Sequence, residues 1–174
     1  KRSIDRPFTR VEKGRLVKPI NSAAKCGRSG PGDLPIGLPA SLSLDLDNKW
    51  SYLKSHGDPS WKSLPSYLNQ IVPGILDVLD DLGIRITFFV VGQDAAMHQH
   101  HDVLRRIEAA GHEIANHSFH HETCLHRYTP EELDREIGLA ENALQQIAGR
   151  KPIGFRGPGF SLSDQTLTTL IRRG

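Results

Sequence analysis

The sequence predicts an α/β protein, either an open parallel sheet or part of a (β/α) barrel. Short leucine-rich or β-branched segments alternate with longer segments of helical apolar spacing, four times over residues 41–174. That alternation is typical of parallel strands joined by helices. Polar clusters follow three of the four predicted strands, and parallel folds assemble their sites at the carboxyl ends of strands. We therefore expect one shared site on roughly the first four βα units of a barrel.

The first unit is predicted over residues 42–83. Leucines at every second position, 42 to 46, indicate a short strand. A polar segment over 49–62 contains Trp50, Tyr52 and Trp61. Residues 66–82 have apolar side chains at helical spacing, with Pro73 in the first turn and Gly83 after the last. The apolar set predicted to define this helix is Ile71, Ile75, Leu76, Val78, Leu79 and Leu82.

The later elements follow the same signals. Thr129-Pro130-Glu131-Glu132 is a capping box with proline at the first helical position. The helix that it starts has four inward apolar residues, and Ser163 caps the last helix. Those inward residues are Leu133, Ile137, Leu144 and Ile147. We predict strands over 84–91, 113–115 and 152–155, and helices over 102–110, 129–148 and 163–173.

Composition excludes several classes of protein. The chain has 174 residues and a net charge of +2, which fits one ordinary globular domain and gives no support to nucleic-acid binding. The longest apolar stretch, 84–91, is too short to span a bilayer. No charged-then-apolar leader is visible, so we expect no signal peptide. Because Met97 is the only methionine, we expect a processed chain or a fragment.

Residues 1–40 differ from the rest in being basic and, over 27–39, rich in glycine and proline. They lack amphipathic periodicity, which predicts a flexible basic arm. A nucleic-acid arm is the alternative, although Phe8 is its only aromatic residue. Cys26 and Cys124 predict two free thiols, or one bridge if the protein is exported. A zinc finger at Cys124 would need a second close cysteine pair, which the sequence lacks.

The three polar clusters supply the candidate functional residues. Asp45 and Asp47 follow the first strand, His117 and His121 the third, and Arg156 the fourth. Two imidazoles and one carboxylate form a three-ligand site with room for water, as in catalytic zinc sites. A second acid and an arginine then remain for proton transfer and orientation. Each cluster alone also fits a solvated turn, because nine histidines occur and acids are common in turns.

These clusters resemble the motifs of the polysaccharide deacetylases that share the NodB homology domain, carbohydrate esterase family 4. Residues 44–47 match their acidic pair in an Asp-x-Asp form, 117–121 match His-Ser-x-x-His, and 156–159 match Arg-x-Pro-x. The run 86–92 is similar to their second strand. The resemblance covers 41–174, and the Asp-x-Asp form is most similar to the peptidoglycan-deacetylase and amide-hydrolase branch.

The resemblance implies a metal-dependent hydrolase of non-peptide C–N bonds that removes N-acetyl groups from an N-acetylated polysaccharide in carbohydrate metabolism. It implies that Asp47, His117 and His121 bind a divalent metal, Zn²⁺ first among the candidates. Asp45 would be the general base, and Arg156 would orient it. It further implies that Ser118 braces the histidine segment, and that a backbone N–H near Phe160 helps to stabilise the oxyanion.

The sequence also departs from the family pattern. Family members have two further motifs downstream, the last of which supplies a histidine that protonates the leaving amine. Because the sequence ends at Gly174, we expect a deacetylase domain over 41–174 that is truncated and weakly active or inactive on its own. Two alternatives stay open: an amidase or imidase acting on a small amide, and an inactive metal- or carbohydrate-binding module. Trp50, Tyr52 and Trp61 would stack on sugar rings or merely pack their loop.

Overall fold

The computed structural model describes residues 40–174, which form a three-stranded parallel sheet and its surrounding helices. The strands are β1 (Ser43–Leu46), β2 (Thr87–Val90) and β3 (Glu113–Asn116), in the order β1-β2-β3. Parallel pairing places the carboxyl ends of all three at one edge. The predicted basic arm over 1–40 lies outside the described residues, apart from Ala40, and so does Cys26 of the predicted pair of thiols.

Six α-helices and four short 3₁₀ turns connect and cover the strands within residues 40–174. The helices are α1 (Lys49–Ser55), α2 (Leu68–Asp81), α3 (Gly92–Ala96), α4 (His101–Ala109), α5 (Pro130–Ala148) and α6 (Asp164–Arg173). The 3₁₀ turns are Pro59–Ser63, His98–His100, Leu125–Arg127 and Pro158–Phe160. Over this part of the chain, every helix is too short or too polar to cross a bilayer.

The helix boundaries predicted from capping signals are confirmed. The Thr129 hydroxyl accepts a hydrogen bond from Glu132 N at 3.2 Å, and the Glu132 carboxylate accepts one from Thr129 N at 2.8 Å. This reciprocal pair satisfies two N–H groups at the start of α5 that have no partner within the helix. Gly149 ends α5 with a φ of +68°, a left-handed conformation that favours glycine. Ser163 caps α6 through its bond from Thr166 N.

The hydrophobic core lies between the sheet and the helices that pack against it. Phe88 at the centre of β2 is fully buried, together with Leu104 of α4 and Leu144 of α5. Burial alternates along β2: Phe88 and Val90 are buried, while Thr87 and Phe89 are half-buried on the other face. This packing fixes the carboxyl edge of the sheet, where the polar clusters project.

The helix predicted for the first unit is confirmed, but one detail of it is wrong. Helix α2 begins at Leu68, so Pro73 lies in its second turn rather than its first. Of the apolar set predicted for α2, Ile71, Val78 and Leu82 are 38%, 57% and 64% exposed. The helix has apolar residues on more than one face, and packing selects the face that contains Leu68, Val72, Leu76 and Leu79. The segment 49–62, predicted only as polar, forms α1 and a 3₁₀ turn.

The prediction of a fourth strand over 152–155 is wrong. In the described residues the strand is reduced to a single parallel bridge between Phe155 and Asn116. Pro152 has no N–H to donate to a ladder, which restricts strand formation at that position. The backbone nevertheless runs beside β3, because Asn116 N donates to Gly154 O and Arg156 N donates to Asn116 O. Arg156 is thus delivered to the same edge as the other polar clusters.

Candidate metal centre

The structure brings the three candidate metal ligands together at the carboxyl edge of the sheet. Asp47 lies just after β1, His117 just after β3, and His121 four residues further on. Asp47 Oδ1 lies 2.9 Å from His121 Nε2 and 3.4 Å from His117 Nε2. One ligand atom from each residue lies within 4.8 Å of the others. Two ligand atoms bound tetrahedrally to one zinc ion are about 3.4 Å apart, so this spacing suits a single ion.

His117 is fixed in the tautomer that metal binding requires. Its Nδ1 lies 2.7 Å from the carbonyl oxygen of Arg156. Because a carbonyl only accepts hydrogen bonds, Nδ1 holds a proton, and Nε2, which lies 3.4 Å from Asp47 Oδ1, is the nitrogen available to a metal. This pairing of a metal-facing nitrogen with a hydrogen-bonded second nitrogen is the usual arrangement of histidine ligands.

The histidine loop, residues 117–121, is a tight loop rather than a helical turn. Ser118 and His121 both have left-handed backbone conformations, with φ of +60° and +55°. Such conformations cost about 1–3 kcal/mol for non-glycine residues and persist only where surrounding contacts impose them. Asn116 Oδ1 accepts from Ser118 N at 2.8 Å, and Ser118 Oγ accepts from His121 N at 3.2 Å. These bonds are the bracing contact that we expected of Ser118.

A buried acid on α5 anchors the same loop, and sequence reasoning missed it. The Glu136 carboxylate accepts hydrogen bonds from the backbone N–H groups of Phe119 and His120, and it lies 2.7 Å from the His120 ring. Glu136 is only 4% exposed. Its sequence signal is its position between Leu133 and Ala140 on the inward face of α5, where a charged residue requires a partner.

Unpaired buried atoms test whether the site fits a metal. Within residues 40–174, four buried side-chain atoms form no hydrogen bond: Asp47 Oδ1, His121 Nε2, His121 Nδ1 and Asp94 Oδ2. Buried polar atoms without a partner are rare in folded proteins. The first two face each other, and a cation between them would bind both. One carboxylate and two imidazoles are also ligands that zinc and cobalt accept. The residues therefore fit a divalent metal.

The charge state of Asp47 suits the same role. Burial raises the pKa of Asp47, but contacts with His117 and His121 lower it by more, so that the pKa lies well below its ordinary value of 3.8. Asp47 is therefore ionised throughout the neutral range. A carboxylate must be ionised to bind a metal ion, so no proton has to be displaced from it.

Asp45 and Arg156 form an ion pair beside the three ligands. Arg156 Nη1 donates to Asp45 Oδ1, and Nη2 donates to Ser43 Oγ at 2.7 Å. The guanidinium carbon also lies 4.0 Å from the centre of the Phe89 ring, a cation–π contact. The second oxygen of Asp45, Oδ2, lies 4.0 Å from His117 Nε2. The arginine thus holds one oxygen while the other faces the ligand set.

Asp94 is a second buried acid, and it contacts the segment that follows Asp47. Asp94 on α3 is fully buried, and its Oδ1 accepts from Asn48 Nδ2 at 2.7 Å and from Trp50 Nε1 at 2.9 Å. Burial raises the pKa of Asp94 above its ordinary value, although contacts with Trp50, Asn48, His100 and His121 act in the opposite direction. Trp50 is itself fully buried, so of the two alternatives for this residue, packing is correct. Tyr52 is 59% exposed.

Comparison with known proteins identifies the family of the chain. The chain matches the family model for polysaccharide deacetylase over residues 58–174. The peptidoglycan deacetylase-like protein FGM2 of Gibberella zeae is 30% identical over 162 residues, which cover 82% of this chain and 46% of that protein. The peptidoglycan-N-acetylglucosamine deacetylase of Bacillus cereus is 32% identical over 51% of this chain and 31% of its own length. The chain thus spans half or less of the length of these curated relatives.

Solved structures give the same result. A Mycobacterium smegmatis protein assigned to the polysaccharide deacetylases superposes with a TM-score of 0.66 at 28% identity, over 80% of this chain and 52% of that one. A family 4 acetyl xylan esterase from Clostridium thermocellum, solved with a cobalt ion, gives 0.58 at 26% identity, over 74% and 53%. The predicted fold class, a partial (β/α) barrel, and the family resemblance are confirmed. The chain belongs to the polysaccharide deacetylase family.

Proposed function

We propose that Asp47, His117 and His121 bind a zinc ion, and that the protein removes N-acetyl groups from an N-acetylated sugar polymer. The observation that supports this most directly is the convergence of Asp47 Oδ1 and the two Nε2 atoms, with the Asp45–Arg156 pair alongside. Relatives support the substrate class, because they include a chitin deacetylase from Pestalotiopsis and a chitooligosaccharide deacetylase from Bradyrhizobium. Zinc is the member of the divalent series most often held by this donor set.

The reaction divides between the metal and the residues beside it. A divalent metal held by Asp47, His117 and His121 would polarise the acyl oxygen and lower the pKa of the attacking water. Asp45 Oδ2 faces the ligand set, so it accepts the proton from that water as general base. When the C–N bond breaks, the leaving nitrogen requires a proton, and protonated Asp45 holds one at that point.

Arg156 contributes in two ways, through separate parts of the residue. Its guanidinium holds Asp45 Oδ1 and thereby keeps Oδ2 directed at the site. Its carbonyl oxygen accepts the Nδ1 proton of His117 and keeps Nε2 directed at the metal position. Orientation of reacting groups is worth several orders of magnitude in rate, so both contacts serve catalysis without touching the substrate.

The test is release of acetate from chitopentaose by the full chain after loading with Zn²⁺. The test variant is Asp45→Asn, which removes the proposed base but keeps the side-chain size and all three ligands. We expect slow release that requires metal and that falls by about 10²-fold or more in the variant, because general-base catalysis contributes at least that much. Equal rates for the two proteins at equal metal content would contradict the proposal.

Two further substrates separate the alternatives. Acetylated xylan tests ester hydrolysis, since relatives of similar fold include an acetyl xylan esterase. A small cyclic imide tests the amidase or imidase alternative with the same metal site. Faster hydrolysis of the imide than of chitopentaose would favour that alternative. Metal binding with no hydrolysis of any of the three would favour a binding module.

A further inference from the structure

We infer that Asp94 is the positioning residue of the metal centre, which joins its two ligand-bearing segments and orients the His121 ring through Nδ1. The inference rests on the proposed metal site and concerns a residue outside the three deacetylase motifs. Asp94 lies on α3, more than twenty residues from every proposed ligand along the chain.

The first step is the contact between Asp94 and the segment that follows Asp47. The Asp94 carboxylate accepts hydrogen bonds from the side chains of Asn48, the next residue after Asp47, and of Trp50. Asn48 Oδ1 in turn accepts from Lys49 N at 2.8 Å and Tyr67 N at 3.2 Å. The backbone that presents Asp47 is therefore tied to one buried carboxylate.

The second step is the contact between α3 and the histidine loop. Gly92 N donates to Ser118 O at 2.8 Å, and Gln93 N donates to Phe119 O at 3.0 Å. The approach is close: a Cβ added to Gly92 would lie 2.7 Å from Ala140 Cβ and 2.8 Å from the Phe119 ring. The helix that bears Asp94 is thus fixed to the histidine loop by its backbone and to the Asp47 segment by its carboxylate.

The third step is a pair of atoms that lack partners. His121 Nε2 faces Asp47, and its other nitrogen, Nδ1, is buried and unpaired; Asp94 Oδ2 is buried and unpaired as well. The backbone bonds from Gly92 and Gln93 to the histidine loop hold the two segments that bear these atoms next to each other. Histidine ligands nearly always donate their second N–H to a carboxylate or a carbonyl, as His117 does to Arg156.

Asp94 Oδ2 supplies the acceptor that His121 lacks. The described residues show no direct bond between the two groups, so a small side-chain rotation or one bridging water completes the link. The other oxygen, Oδ1, already accepts from Asn48 and Trp50, and His100 Nδ1 lies 3.4 Å from it, so Oδ2 is the oxygen left for His121. In this arrangement Oδ2 fixes the protonated nitrogen of His121 as Nδ1 and leaves the Nε2 lone pair for the metal.

The experiment compares Asp94→Asn with Glu141→Gln in the full chain. Glu141 is a matched control, because it is also nearly buried, at 9% exposed, and it pairs with Arg173 of α6 rather than with the metal centre. The measurements are Zn²⁺ affinity by competition with a chromophoric chelator, the visible spectrum of the Co²⁺-loaded protein, and the thermal unfolding midpoint. We expect Asp94→Asn to bind Zn²⁺ about 10- to 100-fold more weakly and to change the Co²⁺ spectrum. We expect Glu141→Gln to lower the midpoint while its Zn²⁺ affinity stays within about threefold of wild type.

A measurement on the wild-type protein covers the case in which Asp94→Asn fails to fold. Nitrogen-15 NMR of the imidazoles in the Zn²⁺-loaded chain reports which nitrogen of His121 is protonated. A protonated Nδ1 that exchanges slowly with water supports the inference. A rapidly exchanging or unprotonated Nδ1, or unchanged Zn²⁺ affinity and Co²⁺ spectrum in Asp94→Asn, overturns it.

These readouts do not depend on hydrolysis. A wild-type chain that binds Zn²⁺ but releases no acetate contradicts the proposed reaction and leaves the role of Asp94 in place. Unchanged metal binding in Asp94→Asn, with normal acetate release by the wild type, contradicts the role of Asp94 alone. A wild-type chain that binds no metal overturns both.

Discussion

The site has two sides, which are held in place in different ways. The ligand side contains His117 and His121, and the base side contains Asp45 and Arg156. On the ligand side, the side chains of His117 and His121 are only 2% and 5% exposed. The Glu136 carboxylate and backbone N–H groups of α3 hold their loop. On the base side, the side chains of Asp45 and Arg156 are 27% and 30% exposed, and the ion pair between them is in contact with solvent. The third proposed ligand, Asp47, has a side chain that is 42% exposed, although its Oδ1 atom is buried.

The difference indicates that metal binding and proton transfer depend on separate structures. A buried polar network is costly to disturb, because each lost partner leaves a desolvated group behind. A partly exposed ion pair is replaced by water more easily, so its loss affects orientation more than folding. Substitutions on the ligand side should therefore reduce metal content, and substitutions on the base side should reduce turnover while the metal stays bound.

The largest effect is expected from removing a ligand. Asp47→Ala and His117→Ala each leave two ligands, so we expect metal content to fall from near one ion per chain to a trace, measured by elemental analysis after reconstitution with Zn²⁺. The control is His98→Ala, which removes an exposed histidine elsewhere in the fold. Metal retained by His117→Ala, or lost equally from His98→Ala, would contradict the proposed ligand set.

The next effect is expected on the base side. Arg156→Lys keeps the positive charge and the backbone carbonyl that holds His117, but it loses the planar fork that binds Asp45 and Ser43 together. We expect kcat to fall by about 10- to 100-fold, as loss of orientation typically causes. Zn²⁺ affinity should stay within about threefold of wild type, measured by chelator competition. A parallel fall in both quantities would show that the two sides are not separable.

A smaller effect is expected where α5 anchors the histidine loop. Glu136→Gln keeps one oxygen acceptor but loses the charge that strengthens the bonds from Phe119 N and His120 N. We expect the free energy of unfolding in urea to fall by about 1–3 kcal/mol. Glu131→Gln on the exposed side of the same helix is the control and should cost less than about 1 kcal/mol. Equal losses in the two variants would contradict the anchoring role.

The smallest effect is expected at the opposite end of the sheet, away from both sides of the site. His112 is 3% exposed, and its Nδ1 accepts a hydrogen bond from Ile86 N, so the folded protein favours the neutral ring. Burial and the charge of Arg85 lower its pKa from the ordinary 6.5. The unfolded chain therefore binds the proton more readily, and the stabilisation is complete above about pH 6.5 and is lost as the pH falls below it.

The check is urea unfolding at pH 7.5 and 5.5 for wild type and His112→Asn. We expect the wild type to lose more stability on acidification than the variant, by at most about 1.4 kcal/mol per pH unit. Zn²⁺ affinity at pH 7.5 should be the same for both proteins. An identical loss of stability in the two would rule out His112 as the source of the pH dependence.

The sequence alone predicted the parts that depend on local pattern. The capping box at Thr129 predicted the start of α5, and the apolar run around Phe88 predicted β2, because caps and buried strands are determined by neighbouring residues. The positions of Asp47, His117 and Arg156 after strand-like segments predicted that they would meet, since parallel strands end at one edge.

Only the tertiary structure decided which polar groups hold the site in place. Asp94 and Glu136 are ordinary charged residues in the sequence, and they become buried because Asn48, Trp50 and the histidine loop, all distant along the chain, surround them in the fold. Packing likewise chose one apolar face of α2 and reduced the fourth strand to a single bridge at Phe155. The physical reason is that the cost of burying a polar group depends on partners that only long-range contacts supply.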